Sequence, residues 1–164
     1  MFVDKHKEAI LKIKAADLHR LKDKRNLLLP THLLYSTAST TTASNLEDLT
    51  IEKEYLYWTN SATSDGSGAV HKAFTEPFGR AVPLQTFADY DILKAQSIAT
   101  NSRNIFFTGY RSDSSDMELF IQKKHSADYY SSYSYAHTDH LKNPGAVLPY
   151  KDTLLLVANQ GFIS

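Results

Sequence analysis

The chain has 164 residues, 42% hydrophobic and 22% charged, with 18 Lys and Arg balancing 18 Asp and Glu. That is the composition of about one folded domain, long enough to bury roughly two-thirds of its unfolded surface, and it argues against a disordered tail. Charge neutrality gives none of the basic surface that nucleic acid requires.

Cysteine is absent, which excludes disulfides and thiolate metal sites. No apolar run approaches the ~18 residues of a membrane span, and the lysines through Lys14 interrupt any signal-peptide core. A soluble chain without signal peptide or transmembrane segment is expected, its compartment undetermined. Charge is unevenly placed: residues 1–25 are net positive by four and the rest net negative by four. The arm is a solvated helix face or docks on an anionic partner.

Residues 4–25 are predicted to form a helix capped by Asp4, with Ile10, Leu11, Ile13, Ala15, Leu18 and Leu21 as a partial apolar stripe. Leu27-Leu28-Leu29-Pro30 and Leu33-Leu34-Tyr35 are too short for helices and suit an early strand or packed connection. Residues 1–35 thus read as a helix and connection. Residues 36–45, almost all Ser, Thr and Ala, read as a linker in preference to an exposed Thr-rich strand.

The remaining chain, 46–164, repeats itself. Leu49–Asn60 contains two apolar runs around Glu52-Lys53-Glu54 and ends on Thr-Asn; Ile98–Gly109 has the same shape, and Val147–Asn159 is a looser copy. The closing residues Asn60, Gly109 and Asn159 lie 49 and 50 positions apart, and self-similarity at such a period marks a repeat architecture. Each copy predicts a strand, a tight turn and a strand. Ala69–Phe74 and Met117–Gln122 are candidate third strands; residues 82–87 and 129–135 are candidate outer strands. Trp58 and Phe107 fall at equivalent positions and are expected to be buried in consecutive sheets. The expected fold is mainly β, a partial β-propeller of four-stranded antiparallel blades (46–90, 91–140 and an incomplete 141–164) after an N-terminal helix.

Leu56-Tyr57-Trp58-Thr59-Asn60 resembles the Tyr-Trp-Thr-Asp signature of six-bladed propellers of the YWTD, NHL and senescence-marker/gluconolactonase type, with Asn for the final Asp. Gly68–Lys72 looks like the strand that follows, and Thr153–Asn159 like the second strand of a later blade. The resemblance covers residues 45–164. It implies the architecture more than an activity, since one fold carries many functions. Lactonases of that family hold a divalent cation on Glu, Asn and Asp; Asn45 stands where a ligating Asn would, while the second-repeat counterpart near Lys94 offers no acid.

Three further groups of residues carry candidate chemistry. His137 and His140, with His125 and Asp128 upstream, have a spacing that suits zinc on a helical turn, yet the polar sequence reads as an ordinary loop. Tyr129, Tyr130, Tyr133 and Tyr135 are either a partner-binding surface or an outer strand. Asp65–Gly68 and Asp113–Asp116 faintly resemble calcium loops without the required number of oxygen ligands. No phosphate loop or nucleophile elbow is present.

The function expected is a non-catalytic interaction module, or a subunit whose ring is completed by another protein chain or by self-association. Leu155 and Val157 would then join the tyrosines in contacting the partner, with no nucleic acid, membrane span or required cofactor. The alternative is a gluconolactonase-like metal-dependent hydrolase, complete or vestigial.

Overall fold

A computed structural model describes residues 1–4, 9–12, 32–36, 45–61, 69–75, 85–88, 92–111, 116–124, 133–134, 144–150, 152 and 154–159. Among these residues every regular element is a β-strand, and the chain is mainly β. An N-terminal sheet contains β1 (Phe2–Asp4), β2 (Ala9–Lys12) and β3 (His32–Ser36) in the order β1-β2-β3. A first four-stranded sheet runs β4 (Leu46–Glu52), β5 (Tyr55–Asn60), β6 (Ala69–Phe74) and β7 (Gln85–Ala88). A second runs β8 (Ile92–Thr100), β9 (Asn104–Arg111), β10 (Met117–Lys123) and β11 (Tyr133–Ser134). A two-stranded sheet joins β12 (Pro144–Tyr150) to β13 (Leu154–Asn159). All pairings are antiparallel between neighbours in sequence.

The helix expected over residues 4–25 is corrected by this arrangement. Asp4 belongs to β1, and Ala9–Lys12 pairs with β1 on one edge and β3 on the other. Ala9, Ile10 and Leu11 are all buried. Three consecutive buried residues suit a strand covered on both faces, whereas a one-sided helix would expose one of them. The rest of that span, and residues 37–44 of the expected linker, lie outside the described residues.

The 49-residue period holds in the register itself. Leu49 opposes Trp58 and Ile98 opposes Phe107; on the other edge Trp58 opposes His71 and Phe107 opposes Phe120. In the two-stranded sheet Val147 opposes Val157. The extra residue there falls between the opposed Tyr150 and Leu154, which three residues separate, where only two separate the opposed Glu52 and Tyr55. Lys53 has φ 54°, the left-handed conformation tight hairpins demand. In the second hairpin the Asn101 carboxamide oxygen accepts from the backbone N–H of Arg103 (3.0 Å) and Asn104 (2.8 Å).

A β-bulge also recurs. Register slips between Leu46 and Asp48 in β4, between Ala95 and Ile98 in β8, and between Pro144 and Val147 in β12. A bulge bends its strand and re-aims the backbone groups beside it.

The sheets stack in chain order through three apolar layers. Ile10 and Tyr35 meet Leu46, Leu56, Trp58 and Ala73 in the first. Tyr57 and Val70 meet Ile98, Ile105, Phe107 and Phe120 in the second. Ala99, Phe106 and Leu119 meet Val147 in the third, with Ile121 and Val157 at its edge. Strand alternation produces this: Trp58 faces the preceding sheet and Tyr57 the following one, as do Phe107 and Phe106. Trp58 and Phe107 are both completely buried, at equivalent positions in consecutive sheets.

Candidate functional site

The first strands of the last three sheets, β4, β8 and β12, lie side by side and are joined where their bulges fall. The Asp48 carboxylate accepts from the Ile98 backbone N–H (3.0 Å) and the Ser97 hydroxyl (3.2 Å). One repeat later the Ser97 hydroxyl oxygen accepts from the Val147 N–H at 3.3 Å. In parallel, the Thr59 hydroxyl donates to the Gln96 carbonyl (2.6 Å), and the Thr108 hydroxyl to the Gly145 carbonyl (3.0 Å). Each junction therefore satisfies one N–H and one C=O that the bulge removes from the ladder.

At the mouth of this seam stand Asn45, Glu47, Ser61 and Lys94. The Asn45 carbonyl accepts from the Ser61 N–H at 2.9 Å, and Asn45 has φ 49°, a conformation Asn tolerates. Ser61 bridges Lys94 of the next sheet, and its hydroxyl donates to the Glu47 carboxylate. The Lys94 ammonium lies 3.8 Å from the same Glu47 oxygen. Both side chains are partly exposed, at 40% and 23%, so the pair adds little stability. It does fix the local charge. A divalent cation near Asn45 and Glu47 would be repelled by Lys94, so these residues do not fit the cation that the lactonase resemblance implies. Among the described residues no group of three or more His, Asp or Glu is placed to hold a metal.

The opposite end gathers the hairpin tips. Lys124, just past β10, donates to the Glu52 carboxylate of the first four-stranded sheet and to the Asn101 carbonyl of the second. Its ammonium lies 5.0 Å from the centre of the Tyr57 ring. Burial lowers the Lys124 amine to about 8, partly countered by the Asp152 carboxylate. Asp152, in the third turn, accepts from the Ser102 hydroxyl (2.9 Å) and N–H (3.3 Å), and these bonds hold its carboxyl below the usual range. Lys72 sits 4.0 Å over the Tyr55 ring, which stacks on Phe74. Burial, then the charges of Tyr55 and Glu54, push the Tyr57 phenol up to about 12. One cluster of charges thus links the tips of three successive hairpins.

The site residues expected from sequence are placed unevenly. Asn45 is at the seam mouth, exposed in a turn. Val157 is half-buried against the third apolar layer. Leu155 lies in β13 opposite Pro149, and Tyr133 in β11 opposite Ile121. His125, Asp128, Tyr129, Tyr130, Tyr135, His137 and His140 lie outside the described residues, as do both candidate calcium loops apart from Asp116. The seam residues Asp48, Thr59, Ser97 and Thr108 escaped sequence reasoning. Their signal was present, since Asp48 and Ser97, like Thr59 and Thr108, stand one period apart.

Among the described residues no helix is long and apolar enough to cross a membrane. No protein-family model, curated protein or solved structure matches the chain.

Proposed function

We propose that the chain is a propeller-type repeat module whose role is to bind protein rather than to catalyse a reaction. The carrying observation is the convergence of three hairpin tips on one end, fixed to each other through Lys124, Glu52, Asn101, Ser102 and Asp152. Rigid repeats present their turns as an ordered array, and such arrays serve as binding surfaces. Exposed apolar side chains lie close in sequence to these tips: Ile51 is 44% exposed, Leu148 61% and Tyr150 54%. Apolar groups beside a charged cluster suit a protein partner, another chain or a second copy, better than a small polar substrate. The identical register and seam bonds one period apart support the propeller reading.

The competing reading is lactonase chemistry on a divalent cation, favoured by Asn45 and Glu47 at the head of β4 and opposed by Lys94 beside them. Sedimentation of the purified chain, with lactone hydrolysis assayed in Ca²⁺, Mn²⁺ and Zn²⁺, separates the two. The module reading expects association that weakens when Leu148 and Tyr150 are replaced by Lys, and no turnover. Cation-dependent hydrolysis that is lost in Glu47→Gln would overturn it.

A further inference from the structure

The polar seam between successive sheets is set at two positions of each repeat, and both change in the last one. The acceptor side chain is Asp48 in the first four-stranded sheet and Ser97, 49 positions on, in the second. Another 49 positions on stands Ala146. The donor is Thr59 and then Thr108, and the residue in that place, next to Val157 in β13, is Ala158. Alanine offers neither group. The sheet of β12 and β13 therefore receives the seam bonds of the sheet before it, and at these two positions has none to give.

A bulged first strand needs those bonds. The Val147 N–H and Gly145 C=O, beside the bulge of β12, are satisfied by Ser97 and Thr108 of the same chain. A further sheet of this repeat would bring its own displaced N–H and C=O against Ala146 and Ala158, which cannot bond them. Yet the face that would meet it is open. Val147 is buried in the third apolar layer, while Ala146, Leu148 and Tyr150 alternate with it and are exposed, Leu148 and Tyr150 by more than half. Leu156 opposes Leu148 and Leu154 opposes Tyr150, so no charged residue type falls at these register positions. The other end of the stack differs. Ala9 and Leu11, which alternate with Ile10 in β2 and so lie on the far face of the N-terminal sheet, are already buried.

We propose, building on the protein-binding reading above, that this open face pairs with the same face of a second copy about a twofold axis. The stack then ends in a dimer instead of receiving a further sheet of the repeat. Each copy brings a bulge whose N–H and C=O are already bonded within its own chain, so an interface without seam groups leaves neither of them unsatisfied. Ala146, Leu148 and Tyr150 meet their like without burying an unpaired charge. Head-to-tail growth would need an open face on the N-terminal sheet, where Ala9 and Leu11 are covered. A twofold contact uses one face only and closes after two copies.

Sedimentation of the full chain at micromolar concentration should give twice the chain mass and no larger species. Ala146→Lys combined with Leu148→Lys should give a monomer, and so should Ala146→Glu combined with Leu148→Glu. An equimolar mixture of the two variants should regain the dimer mass, because a twofold contact sets like positions against each other. A monomeric wild type, an open series of larger species, a dimer that survives in either variant, or a mixture that stays monomeric would overturn the pairing. If a variant lacks a cooperative urea transition, hydrogen exchange of the wild type over a dilution series decides. Protection of the Leu148 and Tyr150 amides should fall on dilution while that of Ile105–Thr108 persists, and protection there that ignores concentration overturns the pairing. Lactone hydrolysis by the same samples reports on the protein-binding reading separately. Cation-dependent turnover lost in Glu47→Gln overturns that reading whatever the mass, whereas association that survives both charged variants overturns the pairing alone.

Discussion

The hydroxyl of Thr59 donates to the carbonyl of Gln96 in the next sheet, at 2.6 Å. Thr59 is completely buried, and so is Thr108, which makes the same bond to Gly145. The chain thus joins successive sheets by a polar contact set inside an apolar stack. Removing the hydroxyl while keeping the shape leaves a bulge carbonyl without that donor. Thr59→Val should destabilise by ~1–3 kcal/mol, and Thr108→Val by a similar amount. Urea unfolding measures both, and a change below a few tenths would show that these hydroxyls do not hold the sheets.

Trp58 and Phe107 are both fully buried one period apart. Trp58 contacts Tyr35 and His71, whereas Phe107 stacks on Phe120. Truncation of either ring leaves a large cavity between sheets. Trp58→Ala and Phe107→Ala should each cost ~3–5 kcal/mol in denaturant unfolding. A much smaller loss at one of them would mean that its layer collapses onto the gap.

The hairpin pattern was legible in sequence because two signals coincide in it. Leu56-Tyr57-Trp58-Thr59-Asn60 and Ile105-Phe106-Phe107-Thr108-Gly109 are short apolar runs with polar ends, and they recur at a fixed distance. The third strand Ala69–Phe74 was legible from the loose alternation of Val70, Lys72 and Phe74 after a turn with two glycines. The strand Ala9–Lys12 was not, because Ile10, Leu11 and Ile13 also satisfy a helical stripe and only its partners β1 and β3 decide the matter. Most of the expected site residues stand out in the sequence by their chemistry alone. The seam residues carry ordinary Asp, Ser and Thr, whose significance depends on backbone groups one sheet away.

Gly109 stands where Asn60 stands in the first four-stranded sheet, yet it cannot carry a side chain. A Cβ there would lie 2.6 Å from the Lys94 carbonyl oxygen and 3.4 Å from the Ala95 Cα. Both neighbours are backbone, held in register with β9, and neither can rotate away. Gly109→Ala should destabilise by ~1–3 kcal/mol through this overpacking. Asn60→Ala tests the contrast, because the first sheet already accommodates a Cβ at that position. Equal melting temperatures for Gly109→Ala and wild type would show that β8 shifts freely.

Lys124 predicts how stability changes in alkali. Its side chain is 4% exposed, and burial lowers the amine from 10.5 to about 8. Between those values the unfolded chain holds a proton that the folded chain has released. Stability therefore rises with pH across the window from about 8 to 10.5, the reverse of a lysine whose pKa is raised by an ion pair. Below 8 the ammonium is retained, bound to Glu52 and Asn101, and this contribution no longer changes with pH. Lys124→Met should flatten the alkaline rise while keeping an unbranched side chain of similar length at this position. Chemical denaturation at pH 7, 8.5 and 10 measures the slope in both proteins. An equal rise in Lys124→Met would assign the effect to another group, and a fall in the wild type would show that the ion pair with Glu52 outweighs the cost of burial.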